Sequence, residues 1–246
     1  MVLIKEFRIV MPLSLEEYEI AQMYVVMKMQ QQSKAPTWLT KFASPNALVV
    51  REEAWNAYPK CRSVIKCPGF SKFIMTVDTI HKADNGYSEN VHGLSKQQLA
   101  ARQVEIIDIA SAASDYWCYI VGRSTVDLSK FKSARTDRGP LLKGWKDQCS
   151  PVMTAYKLVT IDVPYWGFGG KLEQALMAGE RALFLESHRN YFAWIDEWFG
   201  LTTEMMRELE RESDYSLNMK LGQPCAAERS WITPEESLIG GEKSIA

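Results

Sequence analysis

The stretch YKLVTIDV at residues 156–163 decides the fold of this chain of 246 residues. Apolar and polar side chains alternate along it, which predicts a β-strand with one buried face. Val159 and Ile161 lie on the apolar face, and Lys157 has the same parity. A lysine there must reach water, pair with a carboxylate or meet an anionic ligand, because an unpaired buried ammonium costs several kcal/mol. The alternation alone leaves these three alternatives open.

The flanking segments predict an α+β fold. Runs at residues 2–10, 47–51, 63–66, 73–80 and 104–110 have strand composition and are separated by Pro, Gly, Asn and Asp, which is typical of an antiparallel sheet. SLEE at residues 14–17 is a capping box for a helix that should end near residue 29. Gln22 belongs to the otherwise apolar stripe of this helix, where it contacts either a backbone group or a ligand.

The second half of the chain predicts two further helices. An apolar stripe covers residues 171–199 and ends at Gly200, a residue that commonly terminates helices. Another helix is expected from about residue 202. Beyond about residue 216 the periodicity disappears and Gly, Pro, Ser and Glu accumulate, so residues 216–246 are expected to form a mobile tail.

Composition and motifs exclude several classes of function. A formal net charge of -1 gives no overall reason to expect nucleic-acid binding. Five cysteines without a CxxC pair and three scattered histidines predict neither a disulfide framework nor a metal site. No catalytic or nucleotide-binding signature is present, so we expect a protein that is not an enzyme and needs no cofactor. No signal peptide or apolar run of about 20 residues occurs, and we expect a soluble, cytoplasmic protein.

Two polar or aromatic segments permit more than one interpretation. The turn VPYWGFGG at residues 163–170 carries three aromatic side chains, which either pack beneath the turn or form a wedge for a membrane interface. The loop at residues 124–145 is rich in Lys and Arg and is either a solvated surface or a contact for anionic lipid. The predicted architecture suits a cavity for an apolar ligand as well as an ordinary core.

Several longer stretches carry a family resemblance. They are MVLIKEFRIVMPLSLEEYEIAQMY, EEAWNAYPKCRSVI, FKSARTDRGPL, TAYKLVT, YWG and HRNYFAWIDEW, in unbroken order from residue 1 to about 212. In these the chain resembles a phosphatidylinositol transfer protein of the small, soluble class. The resemblance implies a helix-grip lipid-transfer fold over residues 1–215, in which a concave antiparallel sheet and long helices enclose one phospholipid.

The resemblance also implies a function and its partners. Such proteins exchange phosphatidylinositol for phosphatidylcholine at membrane surfaces, with the phospholipid as cargo. We therefore expect a monomer that binds both lipids and contacts membranes transiently.

The same resemblance assigns site residues by position. Four match residues that contact the lipid phosphate, namely Gln22, Ser63, Thr79 and Lys157. Asn56 and Glu210 match residues that bind the inositol ring, and Tyr165 and Trp166 match a tryptophan pair that docks to membranes. Ser133 matches a position of phosphorylation.

The sequence departs from the family pattern after the first helix. The family has a stretch of two strands there, which supplies a threonine and a lysine to the inositol and its phosphate, whereas here residues 29–31 join the flanks directly. Cys67 also stands where an asparagine is usual. We therefore expect phosphate recognition, and so phosphatidylcholine binding, to survive better than inositol recognition. The alternative hypothesis is a transfer-deficient, membrane-associated interaction module; a hydrolase on a similar fold has no positive support.

Overall fold

The computed structural model describes residues 2–32, 51–67, 70–111, 118, 124–164, 167 and 169–221. The strands are β1 (Leu3–Met11), β2 (Arg51–Ala57), β3 (Lys60–Cys67), β4 (Phe70–Lys82), β5 (Gln103–Ile107) and β6 (Met153–Asp162). The helices are α1 (Leu15–Gln32), α2 (Lys96–Ala101), α3 (Gly169–Ala193), α4 (Ile195–Trp198) and α5 (Thr203–Leu221), with a 3₁₀ turn at Trp145–Asp147.

The six strands form one sheet in the order β2-β3-β4-β6-β1-β5. Neighbouring strands are antiparallel except for β1 and β5, which are parallel. The predicted α+β class is confirmed, whereas a wholly antiparallel sheet was the wrong expectation for this pair. Parallel neighbours need a long crossover, and α1, α2 and three strands lie in the chain between β1 and β5.

Helix α1 begins where the capping box predicts. The Ser14 amide donates to the Glu17 carboxylate at 2.8 Å, and the Glu17 amide donates to Ser14 Oγ at 3.2 Å. Tyr18, Ala21 and Val25 are buried on one face of the helix. The predicted start and apolar stripe are therefore confirmed, and the helix continues past residue 29 to Gln32.

Helices α1 and α3 cover one face of the sheet, which we call the inner face and which carries Phe7 and Lys157. The ring of Phe7 packs edge-to-face on Phe184 of α3, with 5.6 Å between centroids. Tyr18 of α1 lies 4.8 Å from His81 of β4, measured between ring centroids. Burial of such side chains stabilises the fold by roughly 1.5–3 kcal/mol each.

The C-terminal helices differ from the prediction in two places. The expected helix over residues 171–199 is interrupted at Trp194, whose backbone (φ -104°, ψ 19°) leaves the helical region. The indole of Trp198 donates to the Tyr191 carbonyl at 2.7 Å and holds the turned segment against α3. Gly200 has φ +82°, the left-handed conformation expected at a helix end. Helix α5 runs past residue 216 to Leu221, and the rest of the predicted tail lies outside the described residues.

Strand β2 forms one edge of the sheet. Within the described part of the chain it pairs only with β3. Residues 53–57 are exposed on both faces of the sheet. This is the edge that follows the predicted missing stretch, and exposed strand edges are sites of unwanted pairing.

A buried carboxylate links strand β1 to the segment that covers the opposite face of the sheet, which we call the outer face. Glu6 of β1 is fully buried and accepts hydrogen bonds from Arg8 at 2.8 Å and from Arg102 at 2.7 Å. Arg8 also donates to the carbonyl of Gly86 at 3.0 Å. The exposed carboxylate of Glu89 lies 3.5 Å and 3.7 Å from the same two guanidinium groups. This network holds residues 86–102 on the outer face.

Removal of the buried carboxylate should destabilise the protein far more than removal of the exposed one. Glu6→Ala leaves two buried guanidinium groups without their partner, so we expect a loss of about 3–5 kcal/mol in the free energy of unfolding. Glu89→Ala removes a contact with the same arginines from a side chain that is 77% exposed, and should cost about 0–1 kcal/mol. Urea unfolding of both variants measures the difference, and equal losses would contradict it.

Candidate functional site

A row of cross-strand partners places Lys157 at the centre of the inner face. Neighbouring strands pair Asn56 with Cys61, Cys61 with Thr79, Thr79 with Lys157, and Lys157 with Phe7. Directly paired residues of adjacent strands point to the same face. The inward position of Lys157 that strand parity predicts is therefore confirmed.

The Lys157 ammonium has only weak partners. Its Nζ lies 3.4 Å from Thr79 Oγ1 and 4.9 Å from the centroid of the Phe184 ring. No carboxylate of the described residues lies within ion-pair distance of it. Burial lowers the pKa of Lys157 to about 8, while the charges of Cys61 and Glu180 act in the opposite direction. The ammonium is thus desolvated and lacks an anionic partner from the described chain.

Ser63 lies on the inner face in the next row. It pairs with Ala54 on one side and with Val77 on the other, and it is partly buried. Cys61, two residues earlier on the same strand, lies between Asn56 and Thr79. We did not predict a place for Cys61 in the site, although its parity with Ser63 was a sufficient signal.

Gln22 lies on α1, one of the helices that cover the inner face. Gln22 is partly buried and lies one helical turn, about 6 Å, after Tyr18 on the same face. Tyr18 contacts His81, which lies two residues after Thr79 on β4. Gln22 has no hydrogen-bond partner among the described residues, so its amide remains available to a ligand.

A buried cluster of aromatic side chains joins α1, the sheet and α3. The Tyr18 hydroxyl lies 2.8 Å from His188 Nε2, and His188 Nδ1 lies 2.6 Å from the Phe184 carbonyl. A carbonyl only accepts hydrogen bonds, so Nδ1 carries the proton and Nε2 accepts from the hydroxyl. His81 Nδ1 donates to the Pro59 carbonyl at 3.0 Å. His81 Nε2 has no partner among the described residues. No local sequence pattern groups these residues, because they come from three distant segments of the chain.

Both histidines of the cluster are held in the neutral form. Burial and the nearby Lys157 charge lower the pKa of His81 to about 3. The same two causes lower the pKa of His188 well below its ordinary value. A second positive charge beside Lys157 would be costly, so the cluster stays uncharged at neutral pH.

The two residues expected at the inositol ring are less closely joined to the row. Asn56 ends the row on the exposed edge strand, where its Oδ1 accepts from Cys61 Sγ at 3.0 Å. Glu210 is partly buried on α5, one turn after the buried Met206, and α5 packs on α1. The described contacts do not bring Glu210 to Lys157.

The remaining predicted residues lie away from the row. Tyr165 and Trp166 lie outside the described residues, between the end of β6 and the start of α3. Ser133 is 2% exposed and donates to Asp196 Oδ1 at 2.5 Å. It also accepts from the Thr136 amide at 3.0 Å. A kinase reaches this hydroxyl only if the loop leaves Asp196.

The described residues contain neither a metal-binding cluster nor a membrane-spanning helix. Among the residues that the structure describes, no group of three or more His, Cys, Asp or Glu side chains could hold a metal ion. No helix in the same residues is long and apolar enough to cross a membrane.

These features define a protein with a helix-covered sheet face that carries one desolvated lysine without a carboxylate partner among the described residues. Known proteins with the same sequence pattern identify it further. The family model described as "Phosphatidylinositol transfer protein" matches residues 2–34 and 29–215. "Phosphatidylinositol transfer protein 1" of Dictyostelium discoideum is 35% identical over 255 residues, with 89% of this chain and 96% of that protein aligned. The human "Phosphatidylinositol transfer protein beta isoform" is 34% identical, covering 88% of this chain and 94% of that protein.

The chain therefore belongs to the phosphatidylinositol transfer protein family. A further relative, "Protein retinal degeneration B" of Drosophila melanogaster, is 35% identical over 89% of this chain but only 21% of that longer protein. The family model matches in two pieces that meet around residues 29–34, which agrees with the predicted missing stretch. The Dictyostelium alignment spans 255 positions although the chain has 246 residues, so that relative contains residues that the chain lacks.

Replacement of Lys157 should stabilise the lipid-free protein. Its lowered pKa means that the cost of the buried charge is fully present below about pH 8 and is relieved as the pH rises towards 10.5. Lys157→Met keeps the aliphatic stem, so we expect a gain of about 1–3 kcal/mol at pH 7 in urea unfolding. Lys66→Met on the outer face, where the side chain is 52% exposed, should change stability by less than about 0.5 kcal/mol. A loss of stability in Lys157→Met would contradict this account.

Stability should fall as the pH drops below 6.5. Below pH 6.5 the unfolded chain binds protons at His81 and His188, whereas the folded protein does not, because both histidines have a lowered pKa in the folded state. The free energy of unfolding should decrease by up to about 1.4 kcal/mol per pH unit for each histidine. Unfolding between pH 7.5 and 5 measures this slope, and the double variant His81→Gln with His188→Gln should flatten it. An unchanged slope in that variant would assign the effect to other groups.

Proposed function

We propose that this protein binds one phospholipid and transfers it between membranes, exchanging phosphatidylinositol and phosphatidylcholine. The observation that carries the proposal is the Lys157 ammonium, which is desolvated on the inner face without a carboxylate in ion-pair distance among the described residues. The phosphodiester group of a phospholipid supplies the missing negative charge, and the acyl chains of the same lipid match the apolar surroundings. Membership of the transfer protein family supports the same assignment.

Transfer has a physical basis in the cost of exposing acyl chains to water. Each buried methylene contributes about 0.8 kcal/mol, so a two-chain lipid leaves a bilayer very slowly by itself. A protein that offers an apolar enclosure at the membrane removes most of this cost. Such a carrier acts by binding, and we propose no catalytic step.

The phosphate group is the principal point of recognition in this proposal. Lys157 and Thr79 lie side by side, and Ser63 is on the same face of the sheet. We assign Gln22 of α1 to the same phosphate from the family resemblance. The family's threonine and lysine for the inositol belong to the stretch that this chain lacks. Asn56, their expected neighbour, lies on the exposed edge strand. We therefore propose that phosphatidylcholine is bound at least as well as phosphatidylinositol.

We also propose that Tyr165 and Trp166 bring the protein into contact with membranes. Tyr165 and Trp166 insert at the interface, where aromatic side chains bury apolar surface and keep their polar atoms hydrated. The protein works as a cytoplasmic monomer that contacts membranes only during exchange. One observation favours a second function: among the described residues β2 pairs only with β3, and such a free edge suits a module that no longer holds lipid and binds partners instead.

Replacement of Thr79 tests the phosphate assignment. Thr79→Ala should lower phospholipid loading by about tenfold or more, the order expected for one lost hydrogen bond to a charged group. Thr76→Ala, on the outer face of the same strand, should load normally. Loading is measured by native mass spectrometry with lipid extraction, and transfer by the movement of labelled lipid between vesicles. An empty wild-type protein that transfers nothing would reject the proposal in favour of the interaction module.

A further inference from the structure

The hydrogen bond between Tyr18 and His188 connects two helices that contribute to the phosphate site from opposite ends of the chain. Tyr18 is fully buried on α1, and His188 is 1% exposed on α3. The hydroxyl and Nε2 are 2.8 Å apart, and Nδ1 is fixed by the Phe184 carbonyl at 2.6 Å. Every hydrogen-bonding atom of the imidazole is therefore occupied, and the ring has one tautomer and one orientation.

One end of this bond lies one helical turn from Gln22, which the proposed function assigns to the phosphate, and the other lies one turn from Phe184, which contacts Lys157. Gln22 follows Tyr18 by four positions on α1, and Phe184 precedes His188 by four positions on α3. Residues four apart lie on the same side of a helix, about 6 Å along its axis. The Phe184 ring supports the Lys157 ammonium at 4.9 Å. The bond thus sets the distance between the helix that presents Gln22 and the helix that supports Lys157.

We propose that Tyr18 and His188 are positioning residues that make the site selective for lipids with a phosphate group. This rests on the proposed function. Without the hydrogen bond between Tyr18 and His188, α1 can move relative to α3. The amide of Gln22 and the Lys157 ammonium then no longer contact the same phosphate group. The acyl chains have no such directional requirement, since apolar burial does not depend on orientation. Loss of the bond should therefore weaken phospholipid binding more than binding of the same diacylglycerol without phosphate.

The adjacent strand offers a matched control. Tyr156 precedes Lys157 on β6, is fully buried and donates its hydroxyl to Asp84 at 2.8 Å, but it points to the outer face. Tyr18→Phe and Tyr156→Phe each remove one buried hydroxyl and leave a polar partner behind. They should cost comparable stability, whereas only the first alters the connection between α1 and α3.

The experiment is competitive loading from vesicles that contain phosphatidylcholine and diacylglycerol with identical acyl chains. Lipid extracted from the repurified protein is quantified by mass spectrometry, and the ratio of the two lipids is the readout. We expect the wild-type protein to prefer phosphatidylcholine, Tyr18→Phe to lower the ratio about tenfold, the order of one charge-assisted hydrogen bond, and Tyr156→Phe to leave it unchanged. General destabilisation lowers total loading without changing the ratio.

Two substitutions of His188 keep the test decisive if Tyr18→Phe does not fold. The glutamine amide reaches the place of Nε2 and can still accept from Tyr18, whereas the asparagine amide reaches only the place of Nδ1. His188→Gln should keep the ratio, and His188→Asn should lower it. Equal ratios in all folded variants, or equal losses in Tyr18→Phe and Tyr156→Phe, would overturn the inference alone. A wild-type protein without preference for phosphatidylcholine would overturn the proposed function as well.

Discussion

The inner face of the sheet is organised around one partly buried ammonium group that no carboxylate of the described residues pairs with. Lys157 is held by a hydroxyl and by the face of an aromatic ring, both of which are neutral partners. Such partners orient a cation but compensate for only a small part of the hydration free energy that it loses on burial. The inner face is consequently apolar enough for hydrocarbon and still charged at one point. An amphiphile with an anionic head satisfies both conditions, and neither a plain hydrocarbon nor a small ion does.

The surroundings of Lys157 are assembled from distant parts of the chain. Five strands contribute to its row, and α1 and α3 come from the first and last thirds of the sequence. Strand β6 couples the two faces, because Lys157 points inward while Tyr156 points towards Asp84 on the outer side. The outer face is fastened by Glu6 and its arginines.

Local patterns were sufficient to predict much of this fold. Strand parity located Lys157 correctly, and the capping box located the start of α1, because both depend on a few neighbouring residues. The break at Trp194 depends on the indole of Trp198 reaching back to Tyr191, which helical periodicity does not reveal. The contact between Tyr18 and His188 is equally invisible, since 170 positions separate the two residues. The parallel pairing of β1 with β5 is a property of the whole topology.

The position of β1 has a consequence for how the protein is made. Strand β1 lies in the interior of the sheet, between β6 and β5. Its antiparallel partner begins only at Met153. At a rate of synthesis of about 5–20 residues per second, roughly 10–30 seconds pass before the residues that pair with this edge of β1 have been made. Contacts of such sequence separation also slow folding itself. During synthesis the apolar side chains of β1 therefore remain without their β6 partner until the residues from Met153 onward have emerged.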